Sequence, residues 1–303
     1  MTAYVEGGGT AAVHDLRRGA GLVLIATLLF ASMGAGIKLA SAELPTTMVV
    51  FFRNAFSLAT LLPWVLRNGL ATMRSARWRT HVFRAGTGLA AMYALFFAIG
   101  GMPLGEAMLL NYAAPLYIPV IAAIGLDERP PPRLWGPILL GFAGIALILE
   151  PGAGLFTPIA LVGLASGILA AIAMVSVRSL ARTEPATRVV FYMTVVSTLL
   201  SALPLPLDWV MPAARDWLLL CLVGVIGTGA QIALTRAYAL APAAQIGPFT
   251  YMAVLFAGIY GWLFWNEVPD ALSLAGALVV CVAGVWTLRV GIEPAAEATH
   301  ATR

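Results

Sequence analysis

Three ionisable side chains, Lys38, Arg53 and Glu106, interrupt stretches of sequence that are otherwise apolar. A charge held among apolar residues is costly, so such groups reach water, pair with one another, or meet a charged solute or a proton. Arg53, in Val-Val-Phe-Phe-Arg-Asn, lies about seven residues inside its apolar run, or ~10 Å at the helical rise. From that depth snorkelling is strained, and a cavity-facing role is favoured over a structural ion pair. Lys38 is the one lysine among eighteen basic residues; it stands nearer the end of its run, where snorkelling and solute binding are both open to it. Glu106, near the start of Leu-Gly-Glu-Ala, can sit at a helix N-terminus, act as counter-ion to Arg53, or carry a coupling proton. The planar arginine fork holds a carboxylate or phosphate through two hydrogen bonds. An anionic solute that displaces Glu106 from Arg53 would free the carboxyl to take a proton, linking binding to proton movement.

A second set of side chains could do softer chemistry. Tyr93, Asn111, Tyr112, Tyr117, Gln231, Gln245, Thr250 and Tyr251 offer hydrogen bonds and stacking surface inside apolar runs. Each alone reads as helix packing; together they suit an organic solute with a flat or amphiphilic part. No metal or cofactor site is expected. His14, His81 and His300 fall outside the span interiors, the aspartates lie in loops or tails, and no His-Glu-x-x-His occurs, which speaks against an intramembrane enzyme. A channel is disfavoured because neither a charge ring nor a carbonyl-rich filter motif is present.

The elements that must position these groups are membrane spans. Of the 303 residues, 60% are hydrophobic and 11% charged, with mean hydropathy +0.90, far from a soluble domain. Ten spans are expected, near 20–41, 46–66, 82–101, 104–125 and 134–150, then 156–178, 187–207, 216–238, 243–264 and 271–289. They come as a repeat. Pro103, Asn111, Tyr112 and Glu128 find counterparts 139 positions on at Pro242, Thr250, Tyr251 and Glu267, and Lys38, Pro45 and Thr47 find theirs 140 on at Arg178, Pro185 and Thr187. The chain divides into a tail (1–17), a first five-span unit (18–150), a second (151–290) and a tail (291–303), with 1–16 read as disordered. Ala40-Ser41-Ala42 resembles a cleavage site, but a first span with a counterpart in the second half belongs to the mature fold.

Charge sets the expected orientation. With the amino terminus inside, fifteen of the eighteen Lys and Arg residues, Arg84 among them, fall in or beside cytoplasmic segments, so both termini are expected in the cytoplasm. Five spans per unit is odd, so the units should insert upside down relative to each other, the arrangement common in alternating-access carriers. Gly136, Gly141 and Gly144 of the fifth span, and Gly276, Ala283 and Gly284 of the tenth, read as close packing or as a homodimer surface. Cys221 and Cys281 read as small apolar-facing residues. The bilayer, not nucleic acid, accounts for the basic balance.

The Met-Pro-Leu-Gly-Glu-Ala stretch of the fourth span, its echo through Glu267, and Phe-Phe-Arg of the second resemble the drug/metabolite transporter superfamily of EamA type. The resemblance covers about residues 18 to 290 and is strongest toward the branch with S-adenosylmethionine and riboflavin carriers. It implies an all-α integral membrane protein, ten helices in two inverted five-helix repeats, around a cavity lined by spans 1–4 and 6–9. It also implies a carrier of small organic metabolites in the plasma membrane, the inner membrane of a bacterium. Pro115 departs from the pattern, because its counterpart in the second copy is Val254.

Overall fold

The computed structural model describes residues 8–125, 132–148, 157–181, 183–240 and 247–290. Among these the regular elements are all helical. Helix α1 spans Gly8–Ala40, α2 Thr46–Asn68, α3 Trp78–Gly101, α4 Leu104–Tyr112 and α5 Ala114–Gly125. Then follow α6 Trp135–Ile148, α7 Pro158–Ala181, α8 Ala186–Ser201, α9 Ala214–Leu240, α10 Met252–Trp265 and α11 Ala271–Val290. Prolines 45, 103 and 185 stand at the N-caps of α2, α4 and α8, where a missing backbone donor costs least.

Among the described residues six helical stretches are long and apolar enough to cross a membrane: Arg17–Ala40, Thr46–Arg67, Trp78–Gly101, Pro158–Val177, Arg188–Leu207 and Ala214–Leu234. Shorter apolar helices cover Trp135–Leu147, Phe249–Trp265 and Ala271–Trp286. Leu139, Leu199, Leu263, Phe264 and Leu278 stand exposed on the outside, as a lipid-facing surface requires. The chain is thus a multi-pass membrane protein.

The observed elements depart from the expected spans in several places. The segment before Arg17, read as a disordered tail, already enters α1 from Gly8. The fourth span is not one helix: it breaks at Ala113, between α4 and α5, beside Pro115, whose ring cannot supply the backbone donor that a continuous helix needs. At the matching place in the second half a 3-10 turn, Gly247–Tyr251, precedes α10. Pro242, Gln245, Glu128 and the 150–154 link lie outside the described residues.

Packing crosses the two halves. Helix α1 packs along α9 and α10, α3 along α7 and α8, α2 against α8 and α9, and α4 on α10. The main apolar core joins α1, α2, α3 and α4 to Leu220 and Val223 of α9 and to Ala253 and Ala257 of α10. A smaller core joins Leu109, Leu116 and Tyr117 to Ile145 of α6, Ala171 of α7 and Val280 and Ala283 of α11. Gly144 lets α6 close onto Val279 and Val280 of α11, so these small residues serve packing within the chain.

Candidate functional site

One end of the bundle is closed by an ion pair. Lys38, in the last turn of α1, donates from Nζ to Glu267 Oε1 and, at 2.8 Å, to the Met102 carbonyl. The ammonium also lies 5.5 Å from the centre of the Trp265 ring, within cation–π range. Glu267 Oε2 accepts from the Leu104 N–H at 2.9 Å. A carboxylate therefore sits at the N-terminus of α4, where the unpaired backbone donors favour negative charge. Asn266, in the left-handed region (φ 53°, ψ 32°), ends α10 and turns the chain so that Glu267 lies back against Gly261. Lys38, expected as a solute contact or a snorkelling group, has its charge engaged by Glu267.

Deeper in, Arg53 is buried at 8% exposure on α2. Its Nη1 donates to Asn54 Oδ1 at 3.0 Å, and its Nε makes no hydrogen bond. The guanidinium lies over Gly227 of α9: a side chain there would come within 3.4 Å of Nε and 3.5 Å of Nη2, and would collide with Met33. Gly227 is thus the opening through which Arg53 fits. Gly88 of α3 in turn meets Met193 of α8, and Met193 occupies in the second copy the place of Arg53 in the first. The same helix crossing occurs twice, with a charge in one copy and a thioether in the other.

The softer set is divided by the structure. Tyr93 and Tyr112 pack against the main core, and the Tyr93 hydroxyl is buried without a partner. Asn111 donates to Ser166 Oγ at 3.2 Å, joining α4 to α7. Tyr117 lies against Gly167 and Phe142, and Tyr251 fills the space a side chain at Gly284 would need; both hydroxyls are buried without a partner. Gln231 is half-buried on α9, and Thr250 lies in the 3-10 turn ahead of α10. Glu106 stands in the first turn of α4, two positions after Leu104. Gln245 falls outside the described residues.

Two residues at the other end were misjudged from sequence. His81 was placed outside the spans, yet it lies in α3 at 0% exposure. It stacks on Tyr192 at 4.4 Å, with Nε2 4.0 Å from Glu184 Oε1. Arg84 was assigned to the basic flank, but its Nε and Nη1 are buried and make no hydrogen bond. Around them, Ser75 donates to Glu184, Arg188 donates to Glu184 at 2.6 Å and to the Thr72 carbonyl, and Arg77 donates to the Ser179 carbonyl and hydroxyl. The Ser75 and Arg188 hydrogen bonds hold the Glu184 carboxyl below the usual carboxylate range. Among the described residues, no group of three His, Cys, Asp or Glu side chains could hold a metal ion.

The pattern of the EamA-like transporter family matches the chain twice, over residues 17–150 and 157–289. The chain belongs to this family. A pseudopaline exporter, CntI, of Pseudomonas aeruginosa is 35% identical to this EamA-like protein over 88% of this chain and 95% of its own length. A riboflavin transporter of Vibrio cholerae is 28% identical, over 88% and 91% respectively. An S-adenosylmethionine uptake transporter of Rickettsia bellii is 25% identical over 79% and 82%. One solved structure superposes with TM-score 0.61 at 20% identity, covering 90% of this chain and 96% of that one, a likeness of fold. Family and relatives are transporters, not enzymes.

Proposed function

We propose that this EamA-like protein is a secondary carrier that moves a small organic metabolite across the plasma membrane by alternating access. Its ten spans would form two inverted repeats, with both termini and the Arg77 end in the cytoplasm and the Lys38 end outside. The observation that carries this reading is the Lys38–Glu267 pair, which joins the two halves over a core that holds the buried Arg53. The repeated crossing of Arg53 on Gly227 and Met193 on Gly88 supports two-fold construction, the basis of rocking about a fixed site. The break at Ala113 and the 3-10 turn at Gly247–Tyr251 stand at corresponding places, and such interruptions point to a binding site.

In this reading Arg53 contacts the solute, with Tyr93, Asn111, Tyr112, Gln231, Thr250 and the remaining polar set shaping the cavity. Glu106 is the coupling group. Opening the Lys38–Glu267 pair withdraws Glu267 from the Leu104 N–H, in the same first turn of α4 that carries Glu106, so closure and carboxylate chemistry share one helix end. The relatives' names cover both export and uptake, and flux direction is a measurement. Reconstituted in liposomes, Arg53→Lys should insert normally and lose most transport, while Glu106→Gln should keep exchange but lose dependence on a proton gradient. Normal transport by Arg53→Ala at matched protein levels would sink the site assignment. For topology, in a background lacking Cys221 and Cys281, a cysteine at Ala213 should react with an impermeant thiol reagent in intact cells and one at Ser75 should not.

A further inference from the structure

Arg84 enters the bundle from the end opposite Arg53. The two arginines begin about 10 Å from opposite ends of antiparallel helices α2 and α3, at the helical rise of 1.5 Å per residue. Arg84 does not turn back toward its own end. Its Nη1 lies 3.3 Å from the place a side chain at Gly88 would occupy, one turn further in, beside Ala173 of α7 and Met193 of α8. Arg53 is shut in by Gly227 and Met33 on the other side. Asn54, which accepts from Arg53 Nη1, reaches Met92 Sδ of α3 at 3.5 Å through its Nδ2, one turn on from Gly88, so the two arginines stand against neighbouring turns of one helix. Among the described residues neither has a carboxylate within ion-pair distance, and Arg53 Nε, Arg84 Nε and Arg84 Nη1 are buried with no acceptor.

Buried cations without a counter-charge are among the most costly arrangements a membrane protein can hold. Arginines kept for structure pair with a carboxylate or reach the headgroups, as Arg188 does with Glu184 at the bundle end. Arg53 does neither, and Arg84, half-buried as a residue, turns its Nε and Nη1 inward from the flank with no acceptor. We propose that Arg53 and Arg84 form a two-point anion site, and that the transported solute carries two acidic groups several ångströms apart. This rests on the reading of Arg53 as a solute contact and adds Arg84 to it. The approach from opposite ends sets the spacing: a single phosphate, whose charges lie on one atom's oxygens, satisfies one guanidinium fork, whereas a dicarboxylate reaches both. The solute neutralises a repulsion that the empty site stores, so it binds more tightly than either contact alone would allow.

The test uses the purified full chain in nanodiscs, with glutarate and adipate as probes, butyrate and valerate as matched monocarboxylates, and inorganic phosphate, read by thermal shift and competition. The dicarboxylates should bind at least about tenfold more tightly than the monocarboxylates and phosphate. Arg84→Gln should bring that ratio close to one while leaving monocarboxylate affinity in place, and Arg84→Lys should retain part of it. Unliganded Arg84→Gln should melt no lower than the parent, because a buried unpaired charge has been removed. Several results overturn the proposal: no preference in the parent, a preference that survives Arg84→Gln, phosphate binding as tightly as glutarate, or no binding of any dianion at tens of millimolar. Dicarboxylate binding lost in Arg53→Gln but blind to Arg84→Gln would sink the two-point site and leave the Arg53 reading standing. Binding blind to both substitutions would sink the two together.

Discussion

The two ends of the bundle are joined by unlike means. At one end a single ion pair, Lys38–Glu267, is steadied by the Met102 carbonyl, the Trp265 ring and the Leu104 N–H. At the other, Ser75, Arg77, Glu184 and Arg188 spread the join over side chains and the carbonyls of Thr72 and Ser179. Both link the first half of the chain to the second. A single pair comes apart when one long side chain changes rotamer, whereas a net gives way only bond by bond. The first arrangement suits a latch and the second a brace.

The largest expected effect therefore comes from Glu267→Gln. It leaves the Lys38 side chain, 12% exposed, without its counter-charge, which should cost the closed state on the order of 2–3 kcal/mol, at or below the lower end for buried pairs because the site is not fully dry. The open population should rise roughly 30–150-fold, read as faster thiol labelling of an Ala35→Cys probe one turn deeper on α1. The exchanged pair Lys38→Glu with Glu267→Lys should slow labelling again. Equal rates in all three proteins would show that the pair is no latch.

Glu184→Gln should act on stability instead, lowering it by about 1–2 kcal/mol through weaker hydrogen bonds from Ser75 and Arg188, with the Ala35→Cys labelling rate unchanged. Faster labelling at the far end would mean that the brace and the latch are one coupled device. The pH dependence sharpens the point. The folded Glu184 carboxyl sits below its ordinary value of 4.5, chiefly through the Ser75 hydrogen bond. Its contribution is present in full above that value and is lost as pH falls through the lower, folded one. Thermal stability should thus show an acid-side decline that Glu184→Gln lacks. The smallest effect belongs to Ser75→Ala, which removes the hydrogen bond to Glu184 and the one that the hydroxyl accepts from the Arg77 N–H but leaves Glu184 held by Arg188, and should cost about 1 kcal/mol.

Much of the architecture was legible because hydrophobic length and proline placement are local signals. The ends of α2, α3, α7, α9 and α11 fall within a few residues of the runs that announce them. The repeat was legible too, and the family pattern matches both halves. What the sequence concealed was direction. Hydropathy gives the depth of a backbone position but not whether its side chain turns toward the lipid headgroups or the core, so both Arg84 and His81 read as flank residues, whereas His81 is buried and Arg84 turns its Nε and Nη1 inward. Partnership was hidden for a related reason: Lys38 and Glu267 lie 229 positions apart, and Glu267 was noticed only as the copy of Glu128. The break at Ala113 had a visible signal in Pro115, although the surrounding apolar run reads as continuous.

Asn266 carries no charge, yet it decides where Glu267 points, and it does so through handedness. Its backbone occupies the region in which an L-residue crowds its own carbonyl, at about 1–2 kcal/mol for most side chains. Asparagine tolerates that region and glycine is indifferent to it. A mirror-image amino acid inserted at this one position would be more at ease than most natural replacements, and the ion pair would still close. The latch thus depends on the chirality of a neighbour as much as on opposite charge, and a valine at 266 could disarm it with both charged residues intact.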